Sequence, residues 1–236
     1  MTRHLAQGAR RALRRTFPGL ALRARRRLPG QFQDRNHTQP DRYPWLFEFA
    51  KSRLGDSDRL RILSFGCSTG DEVFTLRRYF PAAAIVGIDV DPGNIAVCRE
   101  RARSDGTQNL TLAVAATTQH EPAETFDAIF CLGVLCLGDL TALGLERSDP
   151  HFTFDEFERT VTDFARCLKP GGLLLFHSTN FRFGDTRVAE AFDVAFEADP
   201  SELGTAVIFD RGNRLMPGER YSAVAFRKRA GETPAS

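Results

Sequence analysis

From residue 61 onward the chain alternates between short apolar runs of strand length and patterned stretches of helix length, and this alternation leaves few folds open. The runs at 61–65 (RILSF), 84–90 (AIVGIDV), 110–115 (LTLAVA), 126–132 (FDAIFCL) and 173–178 (LLLFHS) are nearly continuous in large aliphatic and β-branched residues. Strands buried on both faces carry that pattern. Two later runs, 206–209 and 222–226, are separated only by a segment ending in DRGNRLMPGERY, too short and too rich in turn residues for a helical crossover. They are expected to pair antiparallel. The predicted architecture is α/β: a mostly parallel seven-stranded sheet with helices on both faces and a C-terminal antiparallel hairpin strand.

The intervening helices carry their own start and stop signals. A helix is predicted around 45–54. Residues 70–80 are stopped by Pro81, and Asp91 precedes Pro92 as an N-cap before a proline at the first helical position. Thr153 and Glu156 have capping-box spacing, after which Phe154, Phe157, Val161, Phe164 and Leu168 recur at i+3 and i+4, the stripe of a helix packed on the sheet. A further helix is expected over 186–196.

With 236 residues, 42% hydrophobic and 26% charged, the chain has enough material for a core without disulfide or metal staples. Its five cysteines are odd in number and form no CxxC pair, which reads as buried thiols in a reducing compartment. The longest apolar stretch, 128–137, is too short to span a membrane, and the N-terminus lacks the apolar region of a secretory signal. A cytoplasmic location follows as the expectation.

The net charge of +2 conceals an asymmetry. Residues 1–42 hold eleven arginines against Asp34 and Asp41, a net +9, which leaves −7 on the rest. Leu5, Ala9, Ala12, Leu13 and Phe17 recur at helical spacing, so the arm reads as a short basic amphipathic helix stopped at Pro18-Gly19, with a weaker one over 20–28. Its candidate partners are an anionic membrane surface or an acidic protein; arginine outnumbers lysine 29 to 3 throughout, so the nucleic-acid signal is weak. The expected organisation is an arm at 1–42, a catalytic domain at 43–229 and a disordered tail at 230–236.

The turn Phe65-Gly66-Cys67-Ser68-Thr69-Gly70-Asp71-Glu72 follows a strand and opens a helix, where open α/β sheets bind ligands. Small residues let the backbone approach a ligand, and helix N–H groups favour an anionic group. A dinucleotide fingerprint counted from Gly66 meets Ser68 and Asp71 where glycines belong, and no Gly-Lys-Ser/Thr ending is present. A nicotinamide oxidoreductase is thereby disfavoured. Asp89, at the end of the second strand, is suited to ribose hydroxyls, whereas Asp91 is better explained as a helix cap. No metal site is expected.

The ordered set ILSFGCSTGDE, IVGIDVDP, FDAIFCLGVL and CLKPGGLLLF, followed by a terminal hairpin, resembles the class I S-adenosylmethionine (SAM)-dependent methyltransferases over about residues 45–229, a Rossmann-like fold. GCSTGDEVFTL is locally similar to the first motif of the chemotaxis-receptor glutamate methyltransferases. The resemblance implies that Gly66, Cys67, Ser68 and Gly70 meet the methionine part of SAM with Glu72 near its amino group. Asp89 would hold the ribose, Val90 flank the adenine, and Ala115, Ala116 and Thr117 meet the adenine edge. Leu132 and Gly133 would open towards the methyl group. That position lacks an Asn/Asp-Pro-Pro-aromatic motif, which disfavours methylation of nucleic-acid bases.

Methyl transfer is an in-line displacement in which positioning supplies most of the acceleration, and a base is needed only for a protonated acceptor. Candidate bases are His151 and His177; Asp149 stands beside the former. Tyr43, Trp45, Asn180 and Arg182 are candidate substrate contacts. The expected function is SAM-dependent methylation of a small-molecule acceptor. A catalytically silent SAM-binding module and a protein carboxyl methyltransferase are the alternatives.

Overall fold

A computed structural model describes residues 28, 30–33, 38–149 and 151–230. The helix expected at 5–17, nearly all of the weaker one at 20–28 and the tail past 230 lie outside the described residues. Seven strands form one sheet in the order β3-β2-β1-β4-β5-β7-β6. They are β1 (Arg61–Phe65), β2 (Ala84–Asp89), β3 (Leu110–Val114), β4 (Phe126–Leu132), β5 (Leu168–His177), β6 (Phe192–Glu197) and β7 (Ala223–Lys228). The first five are parallel, and β7 runs antiparallel to both β5 and β6. Because the chain winds outward from β1 through β2 to β3 and then returns to place β4 on the other side of β1, the loops diverge at the β1–β4 junction. That divergence opens a crevice at the C-terminal strand ends.

The alternating register sorts side chains into two cores. Leu63, Phe65, Ile129 and Cys131 face one side, packed with Phe157, Phe164 and Phe176, while Ile62, Ala128 and Phe130 face the other with Leu46, Phe47, Val73 and Ile95. Each fully buried phenylalanine contributes about 1.5–3 kcal/mol. The covering helices are α1 (Pro44–Leu54), α2 (Asp71–Tyr79), α3 (Pro92–Ser104), the short α4 (Gly138–Ala142) and α5 (Phe154–Cys167). Both sides of the Thr153–Glu156 capping box are formed on α5, and Asp91 caps α3 by accepting from the Gly93 N–H at 2.7 Å. At the end of α2, Arg77 donates to the carbonyls of Phe80, Pro81, Ala83 and Asn109 at 2.9–3.0 Å, tying the helix exit to the starts of β2 and β3.

The sixth strand differs from the sequence expectation. Residues 206–209 do not enter the sheet; Phe209 makes one isolated antiparallel bridge to Leu215. The strand is instead Phe192–Glu197, inside the segment expected to be helical, and the residues before it form two short 3-10 turns, Phe183–Asp185 and Arg187–Ala191. Two local causes stand out. The Glu158 carboxylate on α5 accepts from the Arg187 N–H at 2.9 Å, pinning the turn where a helix would start. Phe192, Val194 and Phe196 then alternate, and their aromatic and β-branched side chains suit a strand paired along β7.

Candidate cofactor and substrate cleft

At the crevice the chain makes a turn that only small residues tolerate. The Gly66 and Cys67 N–H groups both donate to the Ile88 carbonyl, at 2.8 and 2.9 Å, and Gly66, Ser68 and Gly70 all take left-handed φ (75°, 50° and 101°). A Cβ on Gly66 would lie 2.5 Å from Val134, and one on Gly70 2.5 Å from the Cys98 sulfur. Both positions therefore demand glycine for backbone and space together.

Asp89 anchors this turn from the neighbouring strand. One carboxylate oxygen accepts from the Ser68 N–H at 2.8 Å; the other accepts from the Asp91 N–H at 2.9 Å and Asn94 Nδ2 at 3.0 Å. A carboxylate has about four acceptor sites, so capacity for one further donor remains. Asp89 lines a cleft of about 530 Å³ together with Gly66, Cys67, Ser68, Glu72 and Val90 on this side, and Ala115, Ala116, Leu132 and Gly133 at the ends of β3 and β4. Gly70 caps α2 just behind, and Thr117 is not among the lining residues. The Ser68 hydroxyl is buried without a hydrogen-bond partner. Such an orphan facing a cleft is what a polar ligand atom would satisfy.

Glu72 points from α2 toward β1, where Ser64 donates to it at 2.6 Å. Burial pushes its carboxyl up to about 7, against the opposing pull of that hydrogen bond and of the Arg42 charge. A carboxyl of this kind suits a cationic ammonium or sulfonium ligand.

The roof of the cleft comes from the stretch before α1. Gln33 Nε2 donates to the Gly133 carbonyl, and Phe32 packs on Phe152 with ring centroids 5.1 Å apart. Gly30 crosses so close to the β3 exit that a Cβ there would come within 2.6 Å of the Ala116 methyl. Arg42 lies with Nη1 3.3 Å from where a Gly133 Cβ would stand, and its guanidinium is 5.1 Å from the Tyr43 ring centroid. Among these roof residues only Tyr43 stands out in the sequence; Arg42 and residues 30–33 fall within the basic arm.

The remaining candidates divide. Tyr43 lines the cleft; His151, His177, Trp45, Asn180 and Arg182 do not. His151 sits half-buried in the turn before α5, and Asp149 pairs with Arg147 at 2.9 Å, which lowers its carboxyl below the usual range. Arg182 is bound by Asp185 and Glu219 at 2.8–3.1 Å. Asn180 is fully buried and stitches two loops, accepting from the Leu137 N–H at 2.6 Å and donating to the Val207 carbonyl at 2.8 Å. These two residues bond neighbouring loops together and do not line this cleft. His177 lies behind the wall, stacked on Tyr43 at a centroid distance of 3.8 Å, with Nδ1 2.8 Å from Ser178 Oγ and Nε2 3.0 Å from the Glu202 carbonyl. Trp45 borders the same group and donates from Nε1 to the Glu202 carboxylate at 2.9 Å. Among the described residues no cluster of histidine, cysteine or carboxylate side chains has metal-binding geometry.

Residues 62–172, which span β1 through the first half of β5, match the family model described as methyltransferase domain. Over this segment the chain is similar to methyltransferase domains. The chain shares 27% identity over 143 residues with the fatty-acid O-methyltransferase of Mycolicibacterium smegmatis, covering 61% of this chain and 46% of that protein. It shares 29% over 115 residues with the demethylmenaquinone methyltransferase of Thermus thermophilus, covering 49% and 45%. An uncharacterized Synechococcus protein is 33% identical over 138 residues, covering 56% and 28%. The chain thus spans less than half the length of each of these three relatives.

Proposed function

We propose that this protein transfers the methyl group of SAM to a small-molecule acceptor in the cleft above β1 and β4. The observation that carries the reading is the Asp89–Ser68 brace. It holds a glycine-dependent turn open beside a 530 Å³ cleft that also presents an unsatisfied buried hydroxyl and a buried carboxyl. Asp89 would receive the ribose, Glu72 the amino group, and Ala115 and Ala116 the adenine edge. When bound, SAM supplies an electrophilic methyl group that needs no protonation of its leaving sulfur. The chain's own part is to orient the acceptor over Gly133, exclude water with residues 30–33 and 38–42, and hold the cation between Glu72 and Asp89. Relatives that act on fatty acids and on a quinone precursor support a small acceptor.

Five buried, free cysteines support a reducing, cytoplasmic setting for the enzyme. Among the described residues no helix is long and apolar enough to cross a membrane, and the basic stretch before residue 28 is proposed as the contact for an anionic surface. An equilibrium titration with SAM and S-adenosylhomocysteine, with NAD as control, tests the function. Micromolar binding of the first two is expected; binding of NAD alone, or of none, would refute it.

A further inference from the structure

The wall behind the cleft brings the hydroxyls of Tyr43 and Ser178 together beside a histidine. The Glu202 carbonyl can only accept, so the nitrogen 3.0 Å away, His177 Nε2, carries a proton. In the neutral ring Nδ1 is then the bare nitrogen, and the Ser178 hydroxyl 2.8 Å from it donates. The Tyr43 ring lies on the imidazole at a centroid distance of 3.8 Å, and Ser178 and Arg42 are the side chains near its hydroxyl that favour its ionised form. Tyr43 and Ser178 line the cleft and His177 does not, so the histidine communicates with the cleft only through them. The backbone supports the arrangement at a cost: Ser178 takes a left-handed φ of 56°, and a Cβ on Gly204 would sit 2.6 Å from its hydroxyl. Strain of this kind persists where the surroundings impose it and gathers at functional sites.

Resting on the methyl-transfer reading above, we infer that Tyr43, Ser178 and His177 form a proton relay that ionises a weakly acidic hydroxyl acceptor, a phenol or an enol, while Arg42 holds the resulting oxyanion for methylation on oxygen. The acceptor O–H bond breaks and its proton passes to the Tyr43 oxygen. The Tyr43 proton moves to Ser178, and the Ser178 proton to His177 Nδ1. The freed oxygen pair forms the bond to the methyl carbon as the C–S bond of the sulfonium breaks, its pair returning to sulfur. No oxidant or further reactant is required. His177 becomes imidazolium and returns its proton to solvent after product leaves.

The groups facing His177 are consistent with this role. Arg42 opposes its charging, the Glu202 carboxylate held by Trp45 favours it, and the Tyr43 ring covers one face. Burial keeps the imidazole below its ordinary range, so it stands neutral and ready to accept at neutral pH. Tyr43 and Ser178 are the residues that would touch the acceptor; His177 acts through them. An aliphatic alcohol is too weak an acid for such a relay, and a carboxylate has no proton to give it.

The test uses 4-nitrophenol, whose neutral and ionised forms differ in colour, added to the full chain saturated with S-adenosylhomocysteine at a pH below the free phenol's ionisation. The bound phenol should ionise about tenfold more readily than in solution, a shift of about one pH unit. Tyr43→Phe, which keeps the ring on His177, and Ser178→Ala should each abolish that shift, and Arg42→Gln should weaken binding of the ionised form. Each variant is first titrated with S-adenosylhomocysteine to show that its cofactor half is intact. Nitrophenol bound in its neutral form, bound with a colour that neither variant changes, not bound at all, or displaced in preference by 4-nitrobenzoate would overturn the relay. Failure of the wild-type chain to bind S-adenosylhomocysteine would overturn the methyl-transfer reading with it.

Discussion

Asp89 at the end of β2 and Ser68 in the turn after β1, 21 positions apart, are joined by a hydrogen bond of 2.8 Å from the serine N–H to the aspartate carboxylate, so the residue proposed for the ribose also shapes the turn proposed for the methionine. Loss of ligand binding in an Asp89 variant therefore has two sources, one local and one architectural. Asp89→Ala strips acceptors from two backbone N–H groups and the Asn94 amide, and unsatisfied buried donors cost about 1–3 kcal/mol each. Asp89→Ala should lower stability by about 3 kcal/mol in urea unfolding, and Asp89→Asn by less. A loss under about 1 kcal/mol for alanine would show that the carboxylate is not a brace.

Gly66→Ala combines two penalties. The left-handed φ costs a residue with Cβ about 1–2 kcal/mol, and the 2.5 Å approach to Val134 adds overpacking of about 1–3 kcal/mol. Val134→Ala in the same chain should recover only the second part. Full recovery of the melting temperature in the double variant would mean that the backbone conformation is unimportant.

Glu72 makes stability and binding depend on pH in a defined direction. Its carboxyl is raised from about 4.5 to about 7, so the fold favours the protonated form. That contribution is complete below about pH 4.5 and is lost as pH rises through about 7, at a slope approaching 1.4 kcal/mol per unit. Glu72→Gln should match the wild type near pH 4 and exceed it by about 3 kcal/mol at pH 8. An ammonium-bearing ligand seated on Glu72 should release a proton when it binds below pH 7, measurable by calorimetry in buffers of different ionisation enthalpy. Parallel stability profiles for the two chains would remove Glu72 from this role.

Arg77→Met keeps the aliphatic stem and deletes donors to four carbonyls at the α2 exit. The expected loss is about 2–4 kcal/mol with the cleft unchanged, since Arg77 is not among its lining residues. Weakened S-adenosylhomocysteine affinity in a chain still folded at the assay temperature would contradict this separation.

The five parallel strands and the helix caps were legible because burial on both faces leaves an unbroken apolar run and because caps use few residue types. The sixth strand was not. Phe192-Asp193-Val194-Ala195-Phe196 alternates with period two, yet five residues also fit a helical continuation, and the competing run 206–209 is more apolar. What decides is tertiary: Ile208 and Phe209 are taken up by packing against loops stitched by Asn180, which receives the Phe209 N–H on its carbonyl at 2.8 Å. On the site, the glycine turn and the residues ending β2, β3 and β4 could be assigned to the cleft because strand ends fix their position. Arg182 and Asn180 looked equally suitable by type, but which polar side chain points into a cleft and which bonds its own wall is set by neighbours far away in sequence. The roof escaped for a different reason. Arg42 was counted among eleven arginines as part of a charge run, and nothing local distinguishes the one lying over Gly133.

The strand order carries a timing constraint. β7 lies between β5 and β6 and joins them, although it is the last of the described strands. As the polypeptide emerges from its N-terminus, β1 through β5 can assemble while β6 waits for β7, its native partner. Until residues 223–228 arrive, the side of β5 that will later be covered presents unpaired backbone groups, a template for association with other chains. Loss of this final strand would thus remove two strands from the sheet.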